Sequence, residues 1–450
     1  MRMIRRTFGP AGRVIASVPR FSASSSAGHV TEDGNESTDI VPKQASLYVH
    51  WPYCLRRCSY CNFNKYIPRD NNDQMMTACL QMETETLLRI SQVSRITSVF
   101  FGGGTPSLAP ASTVSAVLDT VSKHASLSHH AEVTLEVNPT PAGRSKLADF
   151  CQAGVNRFSI GVQSLQNTDL AALGRDHSSL DALQTLEQAR KLCPGKVSVD
   201  VMFGRPRQSV KSWESELSEL LRVCDDHVSL YQLTLERGTR LFRQVEQGEM
   251  TTPPEEAAAD MYHVARATLR QHSFDQYEVS NFARHNAVSH HNLNYWKGGQ
   301  YIGVGPGAHG RFIPHGEGGS TREARTQTLE PEVWIREVRQ RGHATRRRMK
   351  LNHLELLQEV LVTGLRMTDG ITQQHWDLFS PESGLHEVFG ASTEVNDLIL
   401  NGQLLLDERG LRCSWDGLAV LDSLLPTLML ALETRILQRP QPEERNSHSS

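Results

Sequence analysis

Long apolar runs are missing from this sequence of 450 residues. A membrane-spanning helix needs about 20 mostly apolar residues, whereas the densest late stretch, residues 424–432, is short and contains Pro426. We therefore expect no membrane span. A strong excess of charge is missing too, because 47 Lys and Arg residues balance 50 Asp and Glu residues. That balance gives no reason to expect nucleic acid as a partner.

Cysteine is scarce, with eight residues in the chain. So few cysteines argue against a secreted disulfide scaffold and favour a reducing compartment. Five of them are scattered in the manner of buried thiols, namely Cys79, Cys151, Cys193, Cys224 and Cys413. The remaining three, Cys54, Cys58 and Cys61, lie close together in the sequence and need a separate explanation.

Acidic residues are absent from the first 31 positions, which contain five arginines and many serines. This composition is typical of an organellar import segment. We therefore predict a mitochondrial targeting segment at residues 1–30, a polar linker at residues 31–45, and residence in mitochondria, in the matrix. A plain disordered basic tail stays an alternative, because Gly9 and Pro10 interrupt any long amphipathic helix.

Short β-branched or aromatic runs alternate with longer helical stretches between residues 46 and 280, as expected of parallel βα units. Six such runs occur, at residues 46–50, 98–101, 132–137, 157–162, 197–201 and 228–233. Because a closed barrel needs eight units, six units predict an α/β fold with a partial (βα)6 barrel that is open on one side. Barrels of this kind place their chemistry at the carboxyl ends of the strands.

The pattern changes after the barrel. We treat residues 281–345 as a connecting segment and predict a small C-terminal domain over residues 346–430. Helices there accompany a glycine-punctuated strand pair at residues 403–406 and 411–413. Periodicity alone leaves a winged-helix-like domain and a plain helical cap equally open. Prolines and charged or small residues then predict a disordered tail over residues 431–450.

The spacing of Cys54, Cys58 and Cys61 lets one loop, directly after the first predicted strand, wrap a cubane iron–sulfur cluster. Three thiolates leave one iron without a protein ligand, and an open coordination position is where a metal site does chemistry. S-adenosyl-L-methionine (SAM) can fill that position through its amino and carboxylate groups. The alternative is a zinc site with His50 as fourth ligand, but the second Cys-x2-Cys pair typical of such sites is missing.

The run from Tyr48 to Cys54, together with Tyr60 before the third cysteine, resembles the radical SAM signature. Its context resembles the oxygen-independent coproporphyrinogen III dehydrogenase family and its HemW-like heme chaperones, and the resemblance extends over about residues 46–425. It implies a [4Fe-4S] cluster on Cys54, Cys58 and Cys61, with SAM bound beside it.

Several polar or glycine positions lie at the carboxyl ends of the predicted strands. Glycines let a backbone approach a ligand closely, a glutamate can accept hydrogen bonds from an ammonium or ribose, and an arginine fork fits a carboxylate. Each alone is more often a turn or a surface ion pair. The family resemblance implies SAM contacts at Tyr48, Gly103, Gly104, Thr105, Glu136, Gln163, Arg175 and Asp200.

Two features bear on heme. The dehydrogenases carry a further cysteine two residues after the third, where this chain has Phe63, and HemW-like chaperones lack that cysteine as well. Residues 291–296 resemble the HNxxYW segment of that branch, which is associated with heme, so His291 is a candidate iron ligand. A structural role for His291 stays open from the residues alone, and His290 and His309 are further candidates.

One position departs from the family pattern, since Arg205 stands where Gly-Leu-Pro usually has leucine. An extra cation there could meet a porphyrin propionate or be solvated, and we expect the latter.

The resemblance implies a chaperone that binds heme, one [4Fe-4S] cluster and SAM, and that delivers heme to recipient hemoproteins in mitochondria. The alternative is an enzyme that decarboxylates coproporphyrinogen III through a 5′-deoxyadenosyl radical, and Phe63 predicts that this activity is absent. Radical chemistry on another substrate stays open, because the cofactor chemistry is common to many substrates. The sequence also leaves a homodimer open.

Overall fold

The structure is a computed structural model that describes residues 43–68 and 72–438. The predicted targeting segment, most of the predicted linker, and residues 439–450 of the predicted tail lie outside the described residues.

Six parallel strands form the centre of the fold and coincide with the six predicted runs. They are β1 Gln44–Trp51, β2 Arg95–Gly103, β3 Ser126–Val137, β4 Arg157–Gln163, β5 Val197–Phe203 and β6 His227–Gln232. Each pairs in parallel with the next in chain order. The α/β prediction is therefore confirmed.

Helices follow these strands and cover the outer face of the sheet. They are α1 Asp73–Ser91, α2 Ala111–His124, α3 Pro141–Ser145, α4 Leu147–Gln152, α5 Asn167–Ala172, α6 Ser179–Leu192, α7 Val210–Val223, α8 Arg240–Glu246 and α9 Glu255–Gln271. Strand side chains alternate between the two faces. In β1, Leu47 and Val49 are buried in the core that contains Leu80 and Leu87 of α1, whereas Tyr48 is half-buried on the other face.

The sheet continues beyond the six predicted strands. The further elements are β7 Asp275–Gln276, β8 Asn281–Ala283, α10 His290–Trp296, β9 Tyr301–Val304, β10 His309–Phe312, β11 Glu323–Gln327, α11 Pro331–Arg341 and β12 Thr345–Lys350. Strand β9 joins β1 in parallel, and β8 joins β6 in antiparallel orientation. Residues 281–345 thus supply sheet strands as well as connections, which their short or polar runs did not indicate.

The strand order is β12-β11-β10-β9-β1-β2-β3-β4-β5-β6-β8-β7. In this order the two edge strands are β12 and β7, so the sheet of the described chain is open rather than closed into a full barrel, as predicted.

A second hydrophobic core forms after β12. Its elements are α12 His353–Gly364, α13 Gln373–Asp377, α14 Leu385–Phe389, α15 Thr393–Leu400, β13 Leu404–Asp407, β14 Gly410–Cys413, α16 Trp415–Ala419 and α17 Leu421–Leu437. The predicted strand pair is present, since β13 and β14 pair antiparallel. Glu278, next to the barrel, accepts from Arg366 at 3.2 Å, and the Arg266 guanidinium lies 3.8 Å from the Trp415 ring centroid.

The predicted start of the disordered tail at residue 431 is wrong, because α17 continues to Leu437. Leu428 and Leu432 are fully buried in the second core, so their packing carries the helix past that point. None of the helices within residues 43–68 and 72–438 is both long enough and apolar enough to cross a membrane.

Candidate cluster and cofactor site

The cysteine loop leaves the carboxyl end of β1 and is pinned at its base. Cys54 N–H donates to the Tyr66 carbonyl at 2.9 Å, and Tyr66 N–H donates to the Pro52 carbonyl at 2.8 Å. Farther along the loop, Asn64 Nδ2 donates to the Pro306 and Leu329 carbonyls, each at 2.9 Å. These bonds fix both ends of the loop against the sheet.

Two of the three thiols have polar partners, one from the turn after β2 and one from the loop after α5. Cys54 is buried and accepts from Thr105 Oγ1 at 3.2 Å, and Cys58 Sγ lies 3.5 Å from Arg175 Nη1. Burial raises the pKa of Cys54 to about 11 despite the hydrogen bond from Thr105. Metal binding there must therefore displace a proton.

The described residues contain no group of three His, Cys, Asp or Glu side chains arranged around a single metal ion. A cubane does not need that arrangement, because its three cysteine ligands bind three different irons. The zinc alternative with His50 is also disfavoured. His50 Nε2 lies 2.8 Å from the Asn64 carbonyl, and His50 Nδ1 lies 3.1 Å from the Tyr48 hydroxyl, so both ring nitrogens have protein partners.

The glycine turn after β2 brings backbone close to the cysteine loop. Gly103 has a φ of 115°, and a Cβ there would lie 2.6 Å from the His50 ring. A Cβ on Gly104 would lie 2.8 Å from the Pro52 carbonyl carbon. Both positions therefore require glycine, and the turn carries Thr105 to Cys54.

Glu136 and Asp200 form a pair of half-buried carboxylates, with Glu136 next to the carboxyl end of β3 and Asp200 in the middle of β5. Glu136 accepts from Gly103 N–H at 3.1 Å, and Asp200 accepts from Ser159 Oγ at 2.8 Å. Burial, followed by the negative charge of Asp200, raises the pKa of Glu136 to about 8. Burial likewise raises the pKa of Asp200 to about 6. Such a pair favours a cationic ligand.

Arg175 lies on the opposite side of the cysteine loop. Its Nη2 donates to the Gly161 carbonyl at 3.1 Å and also bonds Asn138 Oδ1, while Nη1 faces Cys58. Gln163 ends β4 with a φ of 64°. Asn138, two residues after Glu136, was not predicted from the sequence as a site residue, although its Oδ1 binds Arg175.

Arg175 Nε and Asp200 Oδ1 are among the buried polar atoms of this region that have no hydrogen-bond partner within the described part of the chain. Buried donors and acceptors are almost always paired, so these atoms suit a polar ligand. A guanidinium for a carboxylate, and two carboxylates for an ammonium and ribose hydroxyls, match the groups of SAM. The residues present therefore fit SAM and a cubane cluster.

His291 lies at the opposite end of the barrel. Ser46, Ser98 and Glu132 are aligned across β1, β2 and β3, and His291 contacts Ser98 and Glu132. Glu132 accepts from the His291 backbone N–H at 3.0 Å and from Ser289 Oγ at 3.1 Å, which caps the start of α10. Glu136 lies four residues farther along the same strand.

The His291 ring is 1 % exposed. Its Nδ1 lies 2.9 Å from Ser98 Oγ and its Nε2 lies 2.8 Å from the Tyr295 hydroxyl. The ring stacks on Phe100 with centroids 5.1 Å apart. Burial lowers the pKa of His291 to about 3, so the ring is neutral. This geometry favours the structural alternative for His291, whereas the His290 and His309 side chains are exposed.

Both expectations for Arg205 were wrong. The side chain is 1 % exposed and is paired with Glu216 and Asp169, so it is neither solvated nor free to meet a propionate. Its acidic partners lie 36 and 11 positions away in the sequence, and their approach depends on the fold.

Sequence comparisons agree with this geometry. Residues 48–220 match the Radical SAM superfamily and residues 351–420 match the HemN C-terminal domain. The chain is 66% identical over 400 residues to the mitochondrial radical S-adenosyl methionine domain-containing protein 1 of Danio rerio, covering 88% of this chain and 90% of that protein.

The chain belongs to the radical SAM family.

One further relative and one solved structure resemble this chain. This radical SAM chain is 32% identical over 333 residues to the heme chaperone HemW of Bacillus subtilis, covering 74% of this chain and 86% of HemW. Its fold resembles that of the Escherichia coli coproporphyrinogen III oxidase HemN, a radical SAM enzyme, with a TM-score of 0.70 over 88% of this chain and 91% of HemN. The identity to HemN is 19%, so that likeness concerns the fold.

Proposed function

We propose that this protein is a heme chaperone that binds heme, one [4Fe-4S] cluster and SAM, and delivers heme to mitochondrial apoproteins. Cys54, Cys58 and Cys61 would hold the cluster. Glu136, Asp200 and Arg175 would hold the charged groups of SAM, with Tyr48, Gly103, Gly104, Thr105 and Gln163 around them.

Phe63 is the residue that favours the chaperone function over the dehydrogenase alternative. It stands where the dehydrogenases carry an additional cysteine, and 67% of it is exposed beside the cysteine loop. A phenyl ring cannot supply a thiol or thiolate. The similarity to HemW over most of that protein's length supports the same choice.

Residues around the site are held in place by contacts within the protein. A bound cluster would supply an electron to SAM. Glu136 gives up its proton as a cationic group approaches, because a nearby positive charge lowers the pKa that burial has raised. The Gly103 N–H keeps the Glu136 carboxylate oriented, and Arg175 is held by Asn138 and Gly161 with its Nε left for a carboxylate.

The heme ligand needs a separate test. Iron binding by His291 would require the loss of its bond to Ser98 or to Tyr295. The exposed His290 and His309 could bind iron without that loss. Heme spectra of the three single His→Ala variants decide which imidazole is the ligand.

We also propose that the protein resides in the mitochondrial matrix. The basic, acid-free leader supports this proposal, as do relatives whose names describe them as mitochondrial. A protein lacking residues 2–30 should stay outside mitochondria in fractionated cells. Import of that truncated protein would show that residues 2–30 are not the targeting signal.

Anaerobic reconstitution tests the chaperone function. Cluster-replete protein should bind heme, seen as a Soret absorption band, and should pass it to an added apo-hemoprotein. The control is the same protein without the cluster, on which heme binding and heme transfer are measured in the same way. Heme that neither binds nor transfers would contradict the proposal.

A further inference from the structure

Arg205 lies in the loop after β5, the strand that carries Asp200, and is among the largest fully buried side chains. Its guanidinium forms a two-atom ion pair with Glu216 of α7, and its Nη1 lies 3.2 Å from Asp169 Oδ2 of α5. A buried ion pair contributes little stability compared with well-packed apolar side chains. Stability alone therefore does not account for a buried ion pair at this position.

Glu216 holds the turn that follows β4. Its Oε1 accepts from Ser164 Oγ and from Leu165 N–H, both at 2.7 Å. The preceding residue, Gln163, has a φ of 64°, in the left-handed region that favours glycine. Such backbone conformations are unfavourable for residues other than glycine and persist where the surroundings hold them. Glu216 therefore helps to hold Gln163 at the edge of the candidate SAM site.

Asp169 links the same arginine to the cysteine loop. Leu173 N–H donates to the Asp169 carbonyl at 2.8 Å. The Leu173 and Ala172 carbonyls accept from the Ser59 N–H and Oγ, each at 2.9 Å. Ser59 follows Cys58, and Arg175 stands two residues after Leu173. The α5 turn thus connects the ion pair to both the cysteine loop and Arg175.

We propose that Arg205 is a positioning residue for the SAM site. By binding Glu216 and Asp169 together, it fixes the turn after β4 and helix α5. Gln163 lies at the start of this segment, and its end leads to Arg175 and supports the cysteine loop. The planar guanidinium fork is suited to bridging two carboxylates, which neither leucine nor lysine can do in the same way. The proposal rests on SAM binding at the site proposed above.

Arg205→Leu tests this role in the full-length, reconstituted protein. SAM affinity is measured by equilibrium dialysis, and the order of the turn is measured by hydrogen exchange of the amides in residues 164–175. We expect SAM to bind at least tenfold more weakly and these amides to exchange at least tenfold faster. Cluster iron and sulfide should remain at wild-type levels, because the three cysteines are untouched. Arg205→Lys should recover part of both losses.

Arg325→Leu is the matched control. Arg325 is also fully buried and paired, with Glu317 at 2.7 Å and Glu323 at 2.9 Å, but it lies on β11, away from the β4 turn. This variant should lower the melting temperature without changing SAM affinity or the exchange of residues 164–175. Glu216→Gln replaces Arg205→Leu if the latter does not fold, because it removes the charge while keeping an acceptor for Leu165.

The outcomes separate positioning from stability and from SAM binding itself. If Arg205→Leu lowers the melting temperature but leaves SAM affinity and local exchange at wild-type values, Arg205 is only a structural residue and the proposal is wrong. If wild-type protein binds no SAM, the proposed SAM site fails. The exchange data alone then decide whether Arg205 orders the turn.

Discussion

The residues around Arg175 and those around His291 differ in how their buried polar atoms are paired. At the carboxyl end of the barrel, Arg175 Nε and Asp200 Oδ1 are buried and have no hydrogen-bond partner among the described residues. At the amino end, Glu132 caps α10, and both ring nitrogens of His291 have partners. Unsatisfied polar groups are expensive in a protein interior unless a ligand satisfies them. Arg175 and Asp200 therefore have atoms left for a ligand, whereas both ring nitrogens of His291 are held by the protein.

The largest effect that this comparison predicts comes from the cysteine loop. Replacing Cys54, Cys58 and Cys61 together with alanine should abolish the oxygen-sensitive cluster, measured as iron, acid-labile sulfide and visible absorption after anaerobic reconstitution. Cys224→Ala, which removes a buried thiol outside the loop, is the control and should keep the cluster. Stoichiometric zinc in the wild-type protein, or an unchanged cluster in the triple variant, would remove the basis of the proposed site.

The carboxylate pair should give the next largest effect. Asp200→Asn removes a charge from a ligand-facing group, and hydrogen bonds to charged groups contribute about 1.5–3 kcal/mol. We therefore expect SAM affinity to fall by roughly 10- to 100-fold, with cluster content unchanged. Glu187→Gln, at an exposed position on α6, should leave SAM affinity as it is. Equal affinities in both variants would show that Asp200 does not contact SAM.

At the amino end, His291→Ala should act on stability. It leaves Ser98 and Tyr295 without partners and opens a cavity, which together should cost roughly 2–4 kcal/mol of unfolding free energy. His290→Ala, at the exposed neighbouring position, should change it by less than about 0.5 kcal/mol. Chemical denaturation gives both values. If His291→Ala changes the heme spectrum while stability is retained, the imidazole is an iron ligand after all.

The smallest predicted effect is a difference in pH dependence between the stability that Glu136 contributes and the stability that His291 contributes. Because the pKa of Glu136 is raised to about 8, the folded chain keeps a proton that the unfolded chain releases, and stability falls as pH rises from about 5 to 8. We expect the free energy of unfolding to fall over that range, and Glu136→Gln should remove much of that fall.

His291 has the opposite sign. Burial lowers the pKa of His291 to about 3. The stability that the neutral ring contributes is therefore fully present above the ordinary histidine pKa and is lost as pH falls from there toward about 3. Melting curves of the metal-free protein between about pH 4 and 8 compare both variants with wild type. Parallel curves for Glu136→Gln and wild type would show that this carboxyl group is not perturbed.

Much of the fold follows from local pattern. The six parallel strands are buried β-branched or aromatic runs, and the β13–β14 pair is marked by glycine. The strands β7 to β12 were not predicted, because their runs are short or, as in β12, mostly charged. The continuation of α17 past Pro426 depends on the burial of Leu428 and Leu432, which only the tertiary structure reveals.

The candidate site divides in the same way. The cysteine spacing is local, so the sequence indicates it directly. The pairing of Glu136 with Asp200 could be expected, since both lie on parallel strands of the predicted barrel. The burial of His291 and the partners of Arg205 could not, because they depend on side chains that are distant in sequence, such as Glu132 and Glu216.

The proposed function requires that this radical SAM protein bind heme and not decarboxylate coproporphyrinogen III. Purified, cluster-replete protein is incubated anaerobically with SAM, a reductant and coproporphyrinogen III, and the porphyrin products are separated by chromatography. A parallel sample is titrated with heme. We expect a heme complex and no decarboxylated product, because Phe63 cannot replace the additional cysteine. Decarboxylated product formed over many turnovers would contradict the claim and identify the protein as a dehydrogenase.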